Sequence, residues 1–115
     1  DDQIAVNPTC VRVPVFYSHS EAVHIETAEP ISEDEVRQLM QSAPGVTLMD
    51  ERRDGGYPTA VTDSAGKDDV FVGRIRKDIS HPNGMNLWIV GDNVRKGAAL
   101  NSIQIAEVLI KDYLS

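Results

Sequence analysis

The chain has 115 residues, of which 41% are hydrophobic and 25% are charged, and its formal net charge is −7. This composition is typical of one globular domain or part of one. The acidic balance argues against nucleic acid and against an anionic membrane surface as partners. The single cysteine, Cys10, rules out an internal disulfide framework and fits a reducing compartment.

The sequence contains no secretory signal and no apolar run approaching the about 20 residues that a membrane-spanning helix needs. A cytoplasmic location is therefore the expectation. The chain starts at Asp1 rather than at Met, so we expect it to be a piece of a longer chain.

The first predicted element is a strand over Cys10–Phe16, in which alternate valines share one face. Pro14 cannot donate to a ladder, so it indicates an edge or a bulge. The small residues Ser18–Ser20 predict a turn. A second alternating stretch, Ala22–Ala28, predicts another strand, which Pro30 ends.

A helix is predicted to follow, because Ser32 is a good N-cap and Glu35 completes a capping box three residues later. Pro44-Gly45 ends this helix. Val46–Met49 then predicts a short strand. The apolar stripe of the helix consists of Val36, Leu39, Met40 and Ala43.

The middle of the chain predicts a long loop and a hairpin. Asp50–Lys67 is rich in loop-forming residues, with a possible extended piece at Pro58–Val61. Val70–Ile79 and Met85–Val90 are predicted strands, joined by a turn at His81–Gly84. In the first of these strands, one face carries Phe71, Ile75 and Ile79 and the other Val72, Arg74 and Arg76.

The last predicted element is a helix over Lys96–Tyr113 that is apolar on more than one face. Such a helix needs cover on more than one side. We expect one side to lie on the sheet of this domain. The other side requires a companion domain or a dimer partner.

Arg12 and His19 are the candidate site residues, since both are predicted at the end of the first strand. A guanidinium can bind a carboxylate through two hydrogen bonds, and an imidazole can transfer protons near neutral pH. Together they would suit a small anionic substrate. On the residues alone, the more ordinary interpretations are a surface ion pair for Arg12, a backbone-bonded turn histidine for His19 and a helix-capping or turn role for Asn93.

Three blocks in order carry a resemblance to a known family. Arg12 is followed after six residues by His19-Ser20, Val70–Arg76 forms the second block, and Gly91–Glu107 forms the third. The chain resembles the C-terminal part of the catalytic and dimerisation domain of aspartate-semialdehyde dehydrogenase. One departure is Ser18, at a position where the family has glycine.

The resemblance implies an α+β fold, with a mixed, mostly antiparallel sheet and helices packed on one face, as in part of a glyceraldehyde-3-phosphate dehydrogenase-like C-terminal domain. It implies that His19 is the catalytic acid/base, that Arg12 binds the substrate carboxylate, and that Asn93 lies against the nicotinamide end of NADP. Cys10 is expected to be a structural thiol, because the family's nucleophilic cysteine lies far upstream. No residue group has the spacing of a metal site.

The resemblance also implies what residues 1–115 lack. The NADP-binding Rossmann domain and the nucleophilic cysteine belong to upstream segments, so this fragment alone is expected to be inactive. The complete enzyme would interconvert L-aspartate 4-semialdehyde and L-aspartyl 4-phosphate with NADP and phosphate, in the biosynthesis of lysine (through diaminopimelate), threonine, methionine and isoleucine. A homodimer or tetramer is the expected assembly.

Two rival interpretations stay open at this point. One is an enzyme similar to N-acetyl-γ-glutamyl-phosphate reductase, which shares the overall plan. The other is a non-catalytic dimerisation or interaction module, either a degenerate paralogue or a fragment.

Overall fold

The computed structural model describes residues 2–114 and forms a four-stranded sheet with two α-helices within them. The sheet order is β1-β4-β3-β2, with β2 parallel to β3 and the other neighbours antiparallel. The predicted α+β class with a mixed, mostly antiparallel sheet is thus confirmed. The strands are β1 His19–Glu26, β2 Val46–Leu48, β3 Val70–Lys77 and β4 Gly84–Gly91, and the helices are α1 Glu33–Ser42 and α2 Leu100–Tyr113.

Helix α1 begins where the capping box predicted. The Ser32 hydroxyl accepts a hydrogen bond from the Glu35 N–H at 3.2 Å, and the Glu35 carboxylate accepts one from the Ser32 N–H at 2.8 Å. After the helix ends, Gly45 has a φ of 71°, which glycine adopts without steric cost. This turn leads directly into β2.

The hydrophobic core lies between α1 and one face of the sheet. Val36 is the buried residue of α1. Because exposing its apolar side chain to water would cost free energy, Val36 determines which face of α1 packs against the sheet. Partly buried residues from β2, β3 and β4 extend the same cluster. Its buried members are Val36, Val72, Ile75, Met85 and Leu87.

A β-bulge interrupts the pairing of β3 with β4, and it corrects the predicted faces of β3. The register shifts between Gly73 and Arg76, and Arg74 has a φ of 52°. The extra residue turns Ile75 to the same buried side as Val72, because a bulge reverses the alternation beyond it. The prediction that Ile75 shares a face with Phe71 is therefore wrong.

The loop that joins β2 to β3 covers the other face of the hairpin. The indole N–H of Trp88 donates to the Pro58 carbonyl at 2.9 Å. A Cβ added at Gly73 would lie 2.7 Å from the Pro58 ring, so only glycine permits this approach. The predicted extended piece at Pro58–Val61 is wrong, since Ala60–Ser64 forms one short π-helical turn.

Residues 10–16 form no strand, so the first predicted element is wrong. The alternating valines are exposed, and Phe16 is 97% exposed. The backbone hydrogen bond within this stretch joins the Val15 N–H to the Val13 carbonyl. An apolar alternation becomes a strand only beside a hydrogen-bonding neighbour, and in the described residues this edge of the sheet begins at His19.

The last helical stretch also departs from its prediction. A short π-helical segment, Arg95–Ala99, continues into α2, and no residue of α2 is buried. The expectation that one side of α2 lies on this domain's sheet is therefore wrong. Within residues 2–114, no helix has the length and apolarity needed to cross a bilayer. The large exposed side chains of α2 are Ile103, Ile105, Val108, Leu109, Ile110 and Tyr113.

Candidate functional site

The candidate site lies where β1 begins and β4 ends. His19, the first residue of β1, pairs with Gly91, the last residue of β4. The residues just outside this pair therefore meet although they are distant in sequence. The Ser18 N–H donates to the side-chain oxygen of Asn93 at 2.8 Å. Two of the three blocks that carry the resemblance are joined by this hydrogen bond.

Ser18 occupies an unusual backbone conformation. Its φ is 71°, in the left-handed region, which costs a non-glycine residue about 1–2 kcal/mol. The residue is buried, and its hydroxyl oxygen has no hydrogen-bond partner among the described residues. Glycine at this position would avoid both the left-handed penalty and the unpaired hydroxyl, so the backbone here favours the glycine that the sequence replaces with Ser18.

Asp92 connects two backbone segments on the other side of the site, the long loop and the start of the last helical stretch. Its buried carboxylate accepts hydrogen bonds from the N–H groups of Arg95 at 2.9 Å, Gly66 at 2.7 Å and Val94 at 2.8 Å. The hydrogen bonds, first that from Arg95, hold the pKa of Asp92 below its usual range. Asp92 therefore stays ionised at neutral pH and anchors both the long loop and the start of the last helical stretch.

Sequence reasoning missed the role of Asp92. The signal was an aspartate shortly before a predicted helix, because such residues commonly accept the first free N–H groups of a helix. The bond to Gly66 could not be predicted, since it joins residues 26 positions apart, with β3 and β4 between them.

An open groove lies beside these residues. Its volume is about 390 Å³, which is within the range of small-molecule sites. Arg95, on its rim, forms an ion pair with Asp68 at 2.6 Å, and this contact lowers the pKa of the Asp68 carboxyl. The groove is lined by Tyr17, Ala65, Gly66, Asp92, Val94 and Arg95.

His19 and Arg12 are both exposed. Neither side chain forms a hydrogen bond or an ion pair with the described residues. The alternatives of a backbone-bonded histidine and an ion-paired arginine are therefore not what residues 2–114 show. The structure joins Asn93 to the residue that precedes His19, but it connects Arg12 to neither of them.

The other two histidines, unlike His19, have hydrogen-bond partners in the described part of the protein. His24 contacts the side chains of Asn86 at 3.4 Å and Glu26 at 3.3 Å, and His81 accepts a hydrogen bond from the Asn83 N–H. Cys10, predicted to be a structural thiol, is an exposed free thiol in the described chain. Among residues 2–114, no group of three or more His, Cys, Asp or Glu side chains could hold a metal ion.

A second groove, of about 350 Å³, lies at the bulge of β3. The Arg74 guanidinium stands 5.3 Å from the centre of the Tyr57 ring. Carboxylates share this groove with the arginines, and Glu51 forms an ion pair with Arg53. The groove at Asp92 is the better candidate, because its lining residues Tyr17, Asp92 and Val94 flank Ser18 and Asn93 and the second groove has no such neighbours.

Comparison with known proteins points to one family. A family model described as "Semialdehyde dehydrogenase, dimerisation domain" matches residues 1–96. The aspartate-semialdehyde dehydrogenase of Shewanella violacea is 63% identical over 113 residues, covering 98% of this chain and 33% of the relative. That of Legionella pneumophila is 60% identical over 114 residues, covering 99% and 33%.

Solved structures agree with the sequence relatives. Aspartate semialdehyde dehydrogenase II of Vibrio cholerae, solved in complex with ASA, matches with a TM-score of 0.88 and 56% identity over 98% of this chain and 33% of that chain. A probable aspartate-semialdehyde dehydrogenase of Pseudomonas aeruginosa matches with a TM-score of 0.75 and 43% identity, over 87% and 29%. The chain spans about a third of the length of these relatives.

Proposed function

The chain belongs to the semialdehyde dehydrogenase family, in its dimerisation domain, and from that premise we propose that it is part of an aspartate-semialdehyde dehydrogenase. The complete protein would interconvert L-aspartate 4-semialdehyde and L-aspartyl 4-phosphate with NADP and phosphate. The observation that carries this proposal is the identity of 63% over 98% of the chain. The product would supply the cytoplasmic biosynthesis of lysine, through diaminopimelate, and of threonine, methionine and isoleucine.

His19 is the proposed acid/base. It would take the proton from a cysteine thiol, which lies in a part of the protein outside this chain, as the sulfur attacks the aldehyde carbon. It would later return a proton to the sulfur when phosphate displaces the acyl group. Its exposed imidazole has no partner in the described residues, so both ring nitrogens are open to a substrate or to water.

Arg12 is the proposed anchor for the substrate carboxylate. Its guanidinium is exposed and has no carboxylate partner among residues 2–114. A bidentate pair with the substrate would fix orientation as well as supply attraction, which a lysine cannot do equally well. Placing the aldehyde carbon within reach of the nucleophile is the purpose of such an anchor.

Asn93 is the proposed contact for NADP, which, when bound, supplies the acceptor for the hydride. Its side-chain oxygen already accepts the Ser18 N–H, so its NH₂ group remains to donate. The carboxamide oxygen of a nicotinamide is a suitable acceptor. Most of the cofactor would be held by a Rossmann domain outside this chain. No metal is proposed.

The exposed apolar side chains support further contacts in the complete protein. Val11 is 77% exposed and Ile110 is 61% exposed, and apolar surface on this scale indicates an interaction site. We assign the NADP-binding domain of the same protein and a second copy, in a homodimer or tetramer, as the partners of these surfaces.

The activity is tested by turnover of the full-length protein. We expect activity with aspartate 4-semialdehyde, NADP and phosphate. Activity restricted to N-acetylglutamate 5-semialdehyde would favour the reductase alternative and contradict the proposal. Absence of turnover with either aldehyde would favour a non-catalytic dimerisation module.

The role of His19 is tested by His19→Ala in the full-length enzyme. We expect kcat to fall by about 100-fold or more, because a general acid/base contributes 10²–10⁴-fold. His24→Ala is the matched control, since it removes an imidazole from the same strand, and its kcat should stay near that of the wild type. Turnover of His19→Ala at the wild-type rate would refute the assignment.

A further inference from the structure

The Asn93 amide has one occupied end and one open end. The Ser18 N–H donates a hydrogen bond to the Asn93 side chain, so the accepting atom must be the amide oxygen. This contact fixes the orientation of the amide. The NH₂ group makes no hydrogen bond with the described residues. The side-chain amide of Asn93 therefore binds the backbone before His19 through its oxygen, and its NH₂ group is available to donate to a ligand.

The backbone before His19 depends on this contact. The ladder between β1 and β4 stops at the pair His19 and Gly91, so no strand pairing holds Ser18. Ser18 nevertheless keeps a left-handed conformation, and its buried hydroxyl has no partner in residues 2–114. Such a conformation persists only where its surroundings enforce it, and here the Ser18 N–H donates a hydrogen bond to the side-chain oxygen of Asn93.

Asn93 is itself held in place by its neighbour. The Asp92 carboxylate binds the N–H groups of Val94 and Arg95, which immediately follow Asn93. Asp92 also binds the N–H of Gly66, so this short segment is fixed to the long loop. The amide of Asn93 therefore starts from a rigid base.

We propose that Asn93 is a positioning residue that sets the orientation of His19 through the Ser18 backbone. This inference rests on the proposed role of His19 as acid/base. The oxygen of Asn93 acts on the turn before the imidazole, while its NH₂ group is left for a ligand. Losing the oxygen therefore affects catalysis, and losing the NH₂ group affects cofactor binding.

The two ends are separated by Asn93→Ala and Asn93→Asp in the full-length enzyme. Alanine removes both ends, whereas aspartate keeps an oxygen that accepts the Ser18 N–H and removes the donor. We expect kcat to fall at least about tenfold in Asn93→Ala, because a misplaced catalytic group loses rate steeply, and to fall clearly less in Asn93→Asp, because the Ser18 N–H keeps its acceptor. The KM for NADP should rise in both variants.

Asn86→Ala is the matched control, because Asn86 is an asparagine of β4 whose side chain contacts His24 rather than the turn. Its kcat and KM should be unchanged. Equal loss of kcat in the alanine and aspartate variants, or wild-type kcat in Asn93→Ala, would overturn the inference. If Asn93→Ala does not fold, the aspartate variant decides, since a kcat as low as that of His19→Ala would contradict a role carried by the oxygen.

Failure of the inference is distinguishable from failure of the proposed function. If His19→Ala has wild-type turnover, the proposed role of His19 is wrong. If His19→Ala loses turnover while Asn93→Ala keeps it, only the positioning role is wrong.

Discussion

Ser18 stands at the point where the backbone and the chemistry of the site meet. It lies one residue before the proposed acid/base, with a positive φ and a buried hydroxyl that no other described residue contacts through a hydrogen bond. Strain of this kind is tolerated where a site requires one particular geometry. The residue therefore offers a measurable test of how much the local backbone costs.

We expect Ser18→Gly to raise the free energy of unfolding of the full-length protein by about 1 kcal/mol. Glycine removes the left-handed penalty and the unpaired hydroxyl, and these gains exceed the entropy that glycine adds to the unfolded chain. Ser18→Ala is the control, since it removes the hydroxyl but keeps the Cβ. Urea unfolding measures both variants, and a glycine variant less stable than the alanine variant would contradict this account.

The Asp92 carboxylate makes the stability of the fold depend on pH. Its folded pKa is lowered by hydrogen bonds from backbone N–H groups, Arg95 first. A group with a depressed folded pKa stabilises the fold above its unfolded pKa of about 3.9. That stability is lost as the pH falls through the lower folded pKa.

Asp92→Asn should therefore lower the thermal midpoint by several degrees at pH 7, with a smaller difference from wild type near pH 3. Thermal unfolding at the two pH values measures this. Asp54→Asn is the control, because Asp54 is exposed and makes no hydrogen bond with the described residues. A difference between wild type and Asp92→Asn that does not change with pH would contradict the assignment.

For helices and strands, patterns within a few consecutive residues predicted the structure well, whereas features that depend on distant residues were missed. The capping box at Ser32 and Glu35 involves four consecutive residues, so the sequence alone located the start of α1. Residues 10–16 had the alternation of a strand, yet a strand depends on a neighbour that the pattern cannot specify. The bulge at Arg74 has no local signature, because arginine rarely adopts a positive φ.

The candidate site shows the same division. The resemblance assigned roles to His19, Arg12 and Asn93 from matched blocks of sequence. The hydrogen bond between Ser18 and Asn93 spans 75 positions in sequence, so it could be found only once β1 and β4 were paired. Asp92 escaped notice because its three donors come from two separate segments.

Helix α2 exposes large apolar side chains, among them Ile103. We expect Ile103→Ala to destabilise the full-length protein by about 2 kcal/mol or more, because a partner domain would bury this side chain. Leu39→Ala on α1 is the matched control, since both side chains are 57% exposed in this chain and exposed substitutions change stability by less than about 0.5 kcal/mol. Chemical unfolding that shows equal, small effects would contradict cover over this part of α2.

The whole molecule is a folded core with two uncovered extensions. The sheet and α1 enclose a hydrophobic cluster, whereas residues 10–17 and α2 present apolar side chains to solvent. The chain spans about a third of its relatives. The exposed apolar side chains are suited to contacts with other protein surfaces.

Arg12 and His19 are proposed to converge on one substrate. The most direct measurement is a crystal structure of the full-length protein with aspartate 4-semialdehyde or an unreactive analogue bound. We predict the Arg12 guanidinium within about 3 Å of the ligand carboxylate and the His19 imidazole within hydrogen-bonding reach of the reacting group. Arg12 and His19 on opposite surfaces, or a ligand that contacts neither, would contradict it.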